Sequence, residues 1–187
     1  MLRIFSRFFK KTEQDLEDDS IIDSEEYEEK ESEEPKAFVK GGNIAYHPEL
    51  INELKQEHKK LLNIFSRIQK NSRAGEKKAT RDLLDKFKKN LLSHVFKENV
   101  KFYVYVKYLL ADDPVNKKLA QMMQQEMNGI GKTVLGFIAK SMEKTEQFGP
   151  DFQKQLNKIG AVLTERIKTE EERLYRLYIH PDDVKLL

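Results

Sequence analysis

The chain has 187 residues, 39% of them hydrophobic and 35% charged, and it contains no cysteine. That length suits one domain and a tail, and the missing thiols exclude disulfides, zinc fingers and cysteine nucleophiles together. No apolar run approaches the roughly 20 residues that span a bilayer, and eight Gly, five Pro and no Trp among abundant Lys, Glu and Leu point to helices over a β-sandwich.

The overall charge of +2 conceals an asymmetry. Residues 1–11 carry +4 and residues 12–35 carry −12, which leaves +10 for residues 36–187. The start, MLRIFSRFFKKTEQ, lacks an uninterrupted apolar stretch and an A-x-A site and reads as a poor secretory signal, so a cytoplasmic location is expected. Leu2, Phe5 and Phe9 share one helical face, with Arg3, Arg7, Lys10 and Lys11 on the rest. That composition fits a weak, reversible anchor on an anionic inner membrane face. It equally fits a helix docking into a partner protein's groove, or a tail without function. Residues 12–35, TEQDLEDDSIIDSEEYEEKESEEP, hold too few apolar side chains to offset backbone entropy; residues 12–45 are expected to be a disordered acidic tail and linker.

Four segments of helical periodicity follow within residues 46–180. The first, 47–69, places Pro48 in its first turn and has the stripe Ile51, Leu54, His58, Leu61, Phe65, Ile68. NSRAGE connects it to the second, 77–110, with the stripe Leu84, Phe87, Leu91, His94, Glu98, Phe102, Tyr105, Leu109. Asp112 or Asp113 caps the third, with Pro114 just inside. Its stripe is Leu119, Met123, Glu126, Ile130, Val134, Phe137, and Gly129, Gly131 and Gly136 either weaken it or admit a close neighbour. The fourth, 151–178, has the stripe Phe152, Leu156, Ile159, Leu163, Arg166, Glu170, Leu174, Leu177. Four amphipathic helices on short connections predict an all-α, up-down-up-down four-helix bundle.

Each stripe is broken near its middle by ionisable residues: His58, then His94 and Glu98, then Glu126, then Arg166 and Glu170. In an antiparallel bundle mid-helix positions meet at one level, which predicts a buried polar layer. An unpaired buried charge costs several kcal/mol, so the group must neutralise itself or bind something. With neutral imidazoles the layer sums to −2, which one divalent cation balances, and imidazole with carboxylate suits iron, manganese or zinc.

At these positions the chain resembles the hemerythrin-like (HHE cation-binding) family. QEHKKLLNIF, LLSHVFKENVKFY and LTERIKTEEERLYRLY carry the resemblance, which covers about residues 46–178. It implies a four-helix bundle around non-haem iron that serves oxygen binding, iron or oxygen sensing, or repair of nitrosative damage. His94-x-x-x-Glu98 is the family's second-helix motif, His58 corresponds to the first-helix histidine, and Glu170, or Glu171 one register away, to the fourth-helix carboxylate. The chain departs from the pattern twice. Arg166 stands for the histidine one turn before that carboxylate, and the third-helix histidine is absent, its place falling at Glu126 or Met127. The implied metal set is His58, His94, Glu98, Glu126 and Glu170, holding iron as a mononuclear or incomplete di-iron centre.

Three functions compete. The first is a metal-binding sensor or stress protein. The second is a metal-free regulatory module in which Arg166 replaces the metal in an ion-pair network, engaging a protein partner through the basic bundle surface or residues 1–11. The third is an iron enzyme, disfavoured because no nucleophile–base pair, phosphate loop or cofactor fingerprint is present. Nucleic-acid binding rests on charge alone and is not expected. Tyr103, Tyr105, Tyr108, Tyr175 and Tyr178 gather near the ends of helices two and four, either to tune redox chemistry or to pack with outward hydroxyls.

Overall fold

The apolar stripes fold into four antiparallel rods. The computed structural model describes residues 44–143 and 148–186; the expectations for the basic segment and the acidic tail fall outside the described residues. α1 spans Leu50–Arg73. α2 spans Lys77–Lys97, passes through one π turn at Glu98–Phe102 and continues as α3, Tyr103–Leu109. α4 spans Pro114–Glu143. α5 spans Pro150–Thr169, then widens through a π turn at Glu170–Leu174 and tightens in a 3₁₀ turn at Tyr175–Leu177.

Local chemistry sets the ends. Pro48 lies in the turn ahead of α1, not inside its first turn. α1 runs one turn past the expected end, and Gly75, at φ 75°, reverses the chain in a left-handed conformation that a Cβ would strain. Asp113 caps α4: its Oδ1 accepts from the N–H groups of Val115 (3.1 Å) and Asn116 (3.0 Å).

α1 packs beside α2 and α5, and α4 packs beside α2, α3 and α5, which closes the ring of four rods. Their directions alternate. Gln69 and Arg73 at the end of α1 donate to Asn157 near the start of α5, and Arg81 at the start of α2 donates to the Met142 carbonyl at the end of α4. The close approach between rods is at Gly160, where an added Cβ would lie 2.6 Å from the Phe65 ring. A Cβ on Gly129, Gly131 or Gly136 would meet nothing within 4 Å.

The inward face of α4 keeps Met123 and Val134 of the expected stripe, while Ala120, Met127 and Ile138 are buried where Leu119, Glu126 and Phe137 were expected. Met127 takes the seam and Glu126 turns outward, which buries a thioether and keeps a carboxylate wet.

The core is divided. One apolar cluster includes Leu50, Leu54, Phe102, Met123 and Leu174. The other includes Leu61, Leu91, Met127 and Leu163. Between them, on three of the four rods, lie five buried ionisable residues: His58 on α1, His94 and Glu98 on the second rod, Arg166 and Glu170 on the fourth. The C-terminal segment closes the first cluster, with the Tyr105 hydroxyl donating to the Ile179 carbonyl (2.6 Å) and His47 N–H donating to the Tyr178 hydroxyl (3.0 Å).

Candidate metal centre

Three rods deliver four ligand-type side chains to one point. His58, His94, Glu98 and Glu170 are all buried, and one ligand atom from each lies within 4.8 Å of the others. His58 Nε2 is 3.1 Å from His94 Nε2 and 3.3 Å from Glu170 Oε2, and His94 Nε2 is 3.9 Å from Glu98 Oε2. Four of the five residues expected in the site are thus brought together. The structure does not bring Glu126 into the group: its side chain is 66% exposed at the rim and pairs with Arg166.

Both imidazoles are aimed from behind. His58 Nδ1 lies 2.8 Å from Glu171 Oε1, and His94 Nδ1 lies 2.9 Å from Glu57 Oε2. An ionised carboxylate only accepts, so each Nδ1 carries a hydrogen and each Nε2 of a neutral ring turns its lone pair inward. This carboxylate–imidazole relay is how histidine ligands are fixed in tautomer and direction. Glu57 is itself held by Lys97, whose Nζ reaches Glu57 at 2.7 Å and Glu53 at 2.9 Å. Burial works against ionisation of Glu57, but the hydrogen bonds from His94 and Lys97 outweigh it and bring its pKa down to about 2. Glu171, an alternative ligand on the sequence, is the anchor of His58. Glu57 was not singled out by sequence; its only signal is that it directly precedes His58 in a run that pairs with Lys97.

The two carboxylates differ. Burial, followed by the nearby Glu170 charge, pushes the Glu98 pKa up to about 7. Its Oε1 accepts from the Tyr175 hydroxyl (2.9 Å), whereas Oε2 is buried with no hydrogen-bond partner. For Glu170, burial raises the pKa, but the His58 hydrogen bond and the Arg166 charge outweigh it and leave the carboxyl below its ordinary range. Burial lowers the pKa of His58, and the bonds to Glu170 and Glu171 more than reverse that. A stranded carboxylate oxygen facing two converging imidazole nitrogens is the environment that a cation satisfies. The donor set of two imidazoles and two carboxylates suits a divalent transition metal.

Arg166 borders this group. Its Nε donates to Glu170 Oε1 (2.6 Å), Nη1 to Glu126 Oε2 (3.2 Å), and Nη2 to the Tyr103 hydroxyl (3.2 Å) and the Met123 carbonyl (3.0 Å). Glu170 therefore spans the guanidinium and the imidazole pair, one oxygen on each.

Both carboxylates sit at the start of a π turn. The Glu98 carbonyl accepts from Tyr103 N–H and the Glu170 carbonyl from Tyr175 N–H, each five residues on. The widened turn brings two consecutive residues inward, so Phe102 and Tyr103, and likewise Leu174 and Tyr175, are all buried. Single π turns recur at functional sites. Leu61, Phe65, Phe87, Leu91, Met127 and Leu163 form the apolar wall on the other side of the imidazoles.

No helix among the described residues is long and apolar enough to cross a membrane. No curated protein and no solved structure matches the chain. The family pattern of the hemerythrin HHE cation binding domain matches residues 49–178, most of the chain. With that match and a buried His/Glu group able to hold a metal, the chain belongs to the hemerythrin HHE cation-binding family.

Proposed function

We propose that this bundle binds non-haem iron through His58, His94, Glu98 and Glu170 and acts in the cytoplasm as a metal-, oxygen- or stress-responsive protein rather than as an enzyme. The observation that carries the reading is the convergence of the two imidazole Nε2 atoms, 3.1 Å apart, beside Glu98 Oε2, which has no hydrogen-bond partner. Bound iron supplies redox chemistry and affinity for small oxidants such as dioxygen, nitric oxide or peroxide. The chain's own groups do the rest. Glu57 and Glu171 orient the imidazoles, Tyr175 holds one oxygen of Glu98, and the apolar wall keeps bulk water out. The four donors come from three rods, so the presence or loss of the ion changes how tightly α5 is tied to α1 and α2. That difference is the means by which occupancy becomes a signal, carried to a protein partner by the basic bundle surface or residues 1–11; contact of residues 1–11 with an anionic membrane is a further route.

A second reading, a metal-free regulatory module, draws on the complete engagement of Arg166 by Glu170, Glu126, Tyr103 and Met123. Elemental analysis of protein purified without chelator, before and after anaerobic reconstitution with ferrous ion, separates the two. Iron retained after desalting supports the metal reading. A content near zero in both preparations supports the module.

A further inference from the structure

The two hairpins of the bundle carry the same pattern with different chemistry. On the second rod it reads His94-x-x-x-Glu98-x-x-x-x-Tyr103; on the fourth it reads Arg166-x-x-x-Glu170-x-x-x-x-Tyr175. In both, the Glu carbonyl accepts from the Tyr N–H across a π turn. The tyrosines are exchanged between halves: Tyr175 donates to Glu98 (2.9 Å), and Tyr103 accepts from Arg166 (3.2 Å). The bundle thus contains two related half-sites. The first offers His58, His94 and Glu98. The second offers Glu170, shared with the first, the guanidinium of Arg166 and, from α4, buried Met127.

Resting on the metal reading above, we infer that the Arg166 guanidinium is a built-in cation occupying the second half-site, so that the chain holds a single metal ion. Arg166 is 5% exposed and fixed by four hydrogen bonds on three sides, one of them to the Met123 carbonyl of α4. It is a permanent cation that no pH near neutrality discharges. A second divalent ion would meet this charge and a thioether in place of imidazoles. The buried charges also oppose a second ion: with neutral imidazoles Glu98 and Glu170 against Arg166 leave −1, and a second divalent cation would add two more positive charges to a layer that the first has already taken past neutral. Glu170 then has two duties, one oxygen on the guanidinium and the other beside His58 (3.3 Å), which makes Arg166 a positioning residue for that carboxylate.

The test is the stoichiometry of ferrous ion bound anaerobically by the full chain, counted by elemental analysis after desalting. The wild type is expected to bind one ion per chain. The double variant Met127→His with Arg166→His gives the second half-site imidazoles matching His58 and His94, and is expected to bind two. Two ions in the wild type overturn this inference and leave the metal reading standing. None in the wild type overturns the metal reading and this inference with it. A folded double variant, judged by far-ultraviolet circular dichroism, that still binds one removes Arg166 as the determinant. If the double variant does not fold, the wild-type count decides alone.

Discussion

His58 and His94 meet Nε2 to Nε2 at 3.1 Å, each held from behind by an acid on its Nδ1. Two neutral imidazoles so arranged bring lone pairs together, a contact that needs either a proton or a metal between them. With Glu170 Oε2 at 3.3 Å from His58 and the partnerless Glu98 Oε2 on the His94 side, the point between the rings is the most cation-seeking place among the described residues.

The orienting carboxylates set affinity more than fold. Glu57 and Glu171 are partly exposed, so Glu57→Gln and Glu171→Gln keep the shape while weakening the acceptor for Nδ1–H. Each is expected to lower iron affinity about 10- to 100-fold, the usual effect of losing such a partner, with the helical circular dichroism unchanged. Chelator competition measures it; unaltered affinity in both variants would mean that the rings are aimed by packing alone.

Arg166 is the counter-charge of a buried carboxylate. Arg166→Ala strands Glu170 Oε1 and is expected to cost about 3–5 kcal/mol in urea denaturation of the metal-stripped protein. Arg166→Lys should recover part of this, since it keeps the charge but not the fork that reaches Glu170, Glu126 and Tyr103 together. A change in the alanine variant within experimental error contradicts the network role.

Most of the fold and much of the site were legible in the residues. Apolar spacing located four rods, and the interruptions at 58, 94, 98, 166 and 170 are the polar residues buried between the two apolar clusters. Glu126 misled because adjacent helix positions 126 and 127 both lie near the seam and spacing alone does not choose between them; the cost of burying a charge does, and Met127 goes in. The π turns escaped the 3.6-residue stripe, although the repeated Glu-x-x-x-x-Tyr pattern at 98 and 170 was their trace. Glu57 escaped because it is only partly buried and acts through His94, a contact between rods that no spacing within one helix reveals.

Protons and metal compete for the same layer, which gives the metal-stripped protein an unusual pH profile. Glu98 binds its proton more tightly folded (about 7) than at its ordinary value of 4.5, so its contribution is present at low pH and is lost between those two values. His58, also raised above 6.5, contributes stability below that value that is lost as pH climbs through its folded pKa. Glu170, held low, acts in the opposite sense but only below 4.5. The urea midpoint is therefore expected to fall as pH rises from 5 to 8. A midpoint flat or rising over that window contradicts the assignment.

Two glycine substitutions report the packing. Gly129→Ala meets nothing within 4 Å and should stabilise α4 by about 0.5–1 kcal/mol through helix propensity. Gly160→Ala places its Cβ 2.6 Å from the Phe65 ring, which is itself packed edge-on against Phe87. Overpacking of about 1–3 kcal/mol is expected to exceed the same propensity gain. Thermal melts of the two variants should shift in opposite directions; a shared direction would mean that α5 and α1 can part at that point.

The central claim is that the side chains at 58, 94, 98 and 170 enclose one ion. A crystal of the iron-loaded protein, measured at the iron absorption edge, tests it directly. One anomalous peak per chain is expected, within bonding distance of His58 Nε2, His94 Nε2 and the carboxylates of Glu98 and Glu170, with the Arg166 guanidinium still on Glu170. A peak bound elsewhere, or none between the two imidazoles, contradicts it.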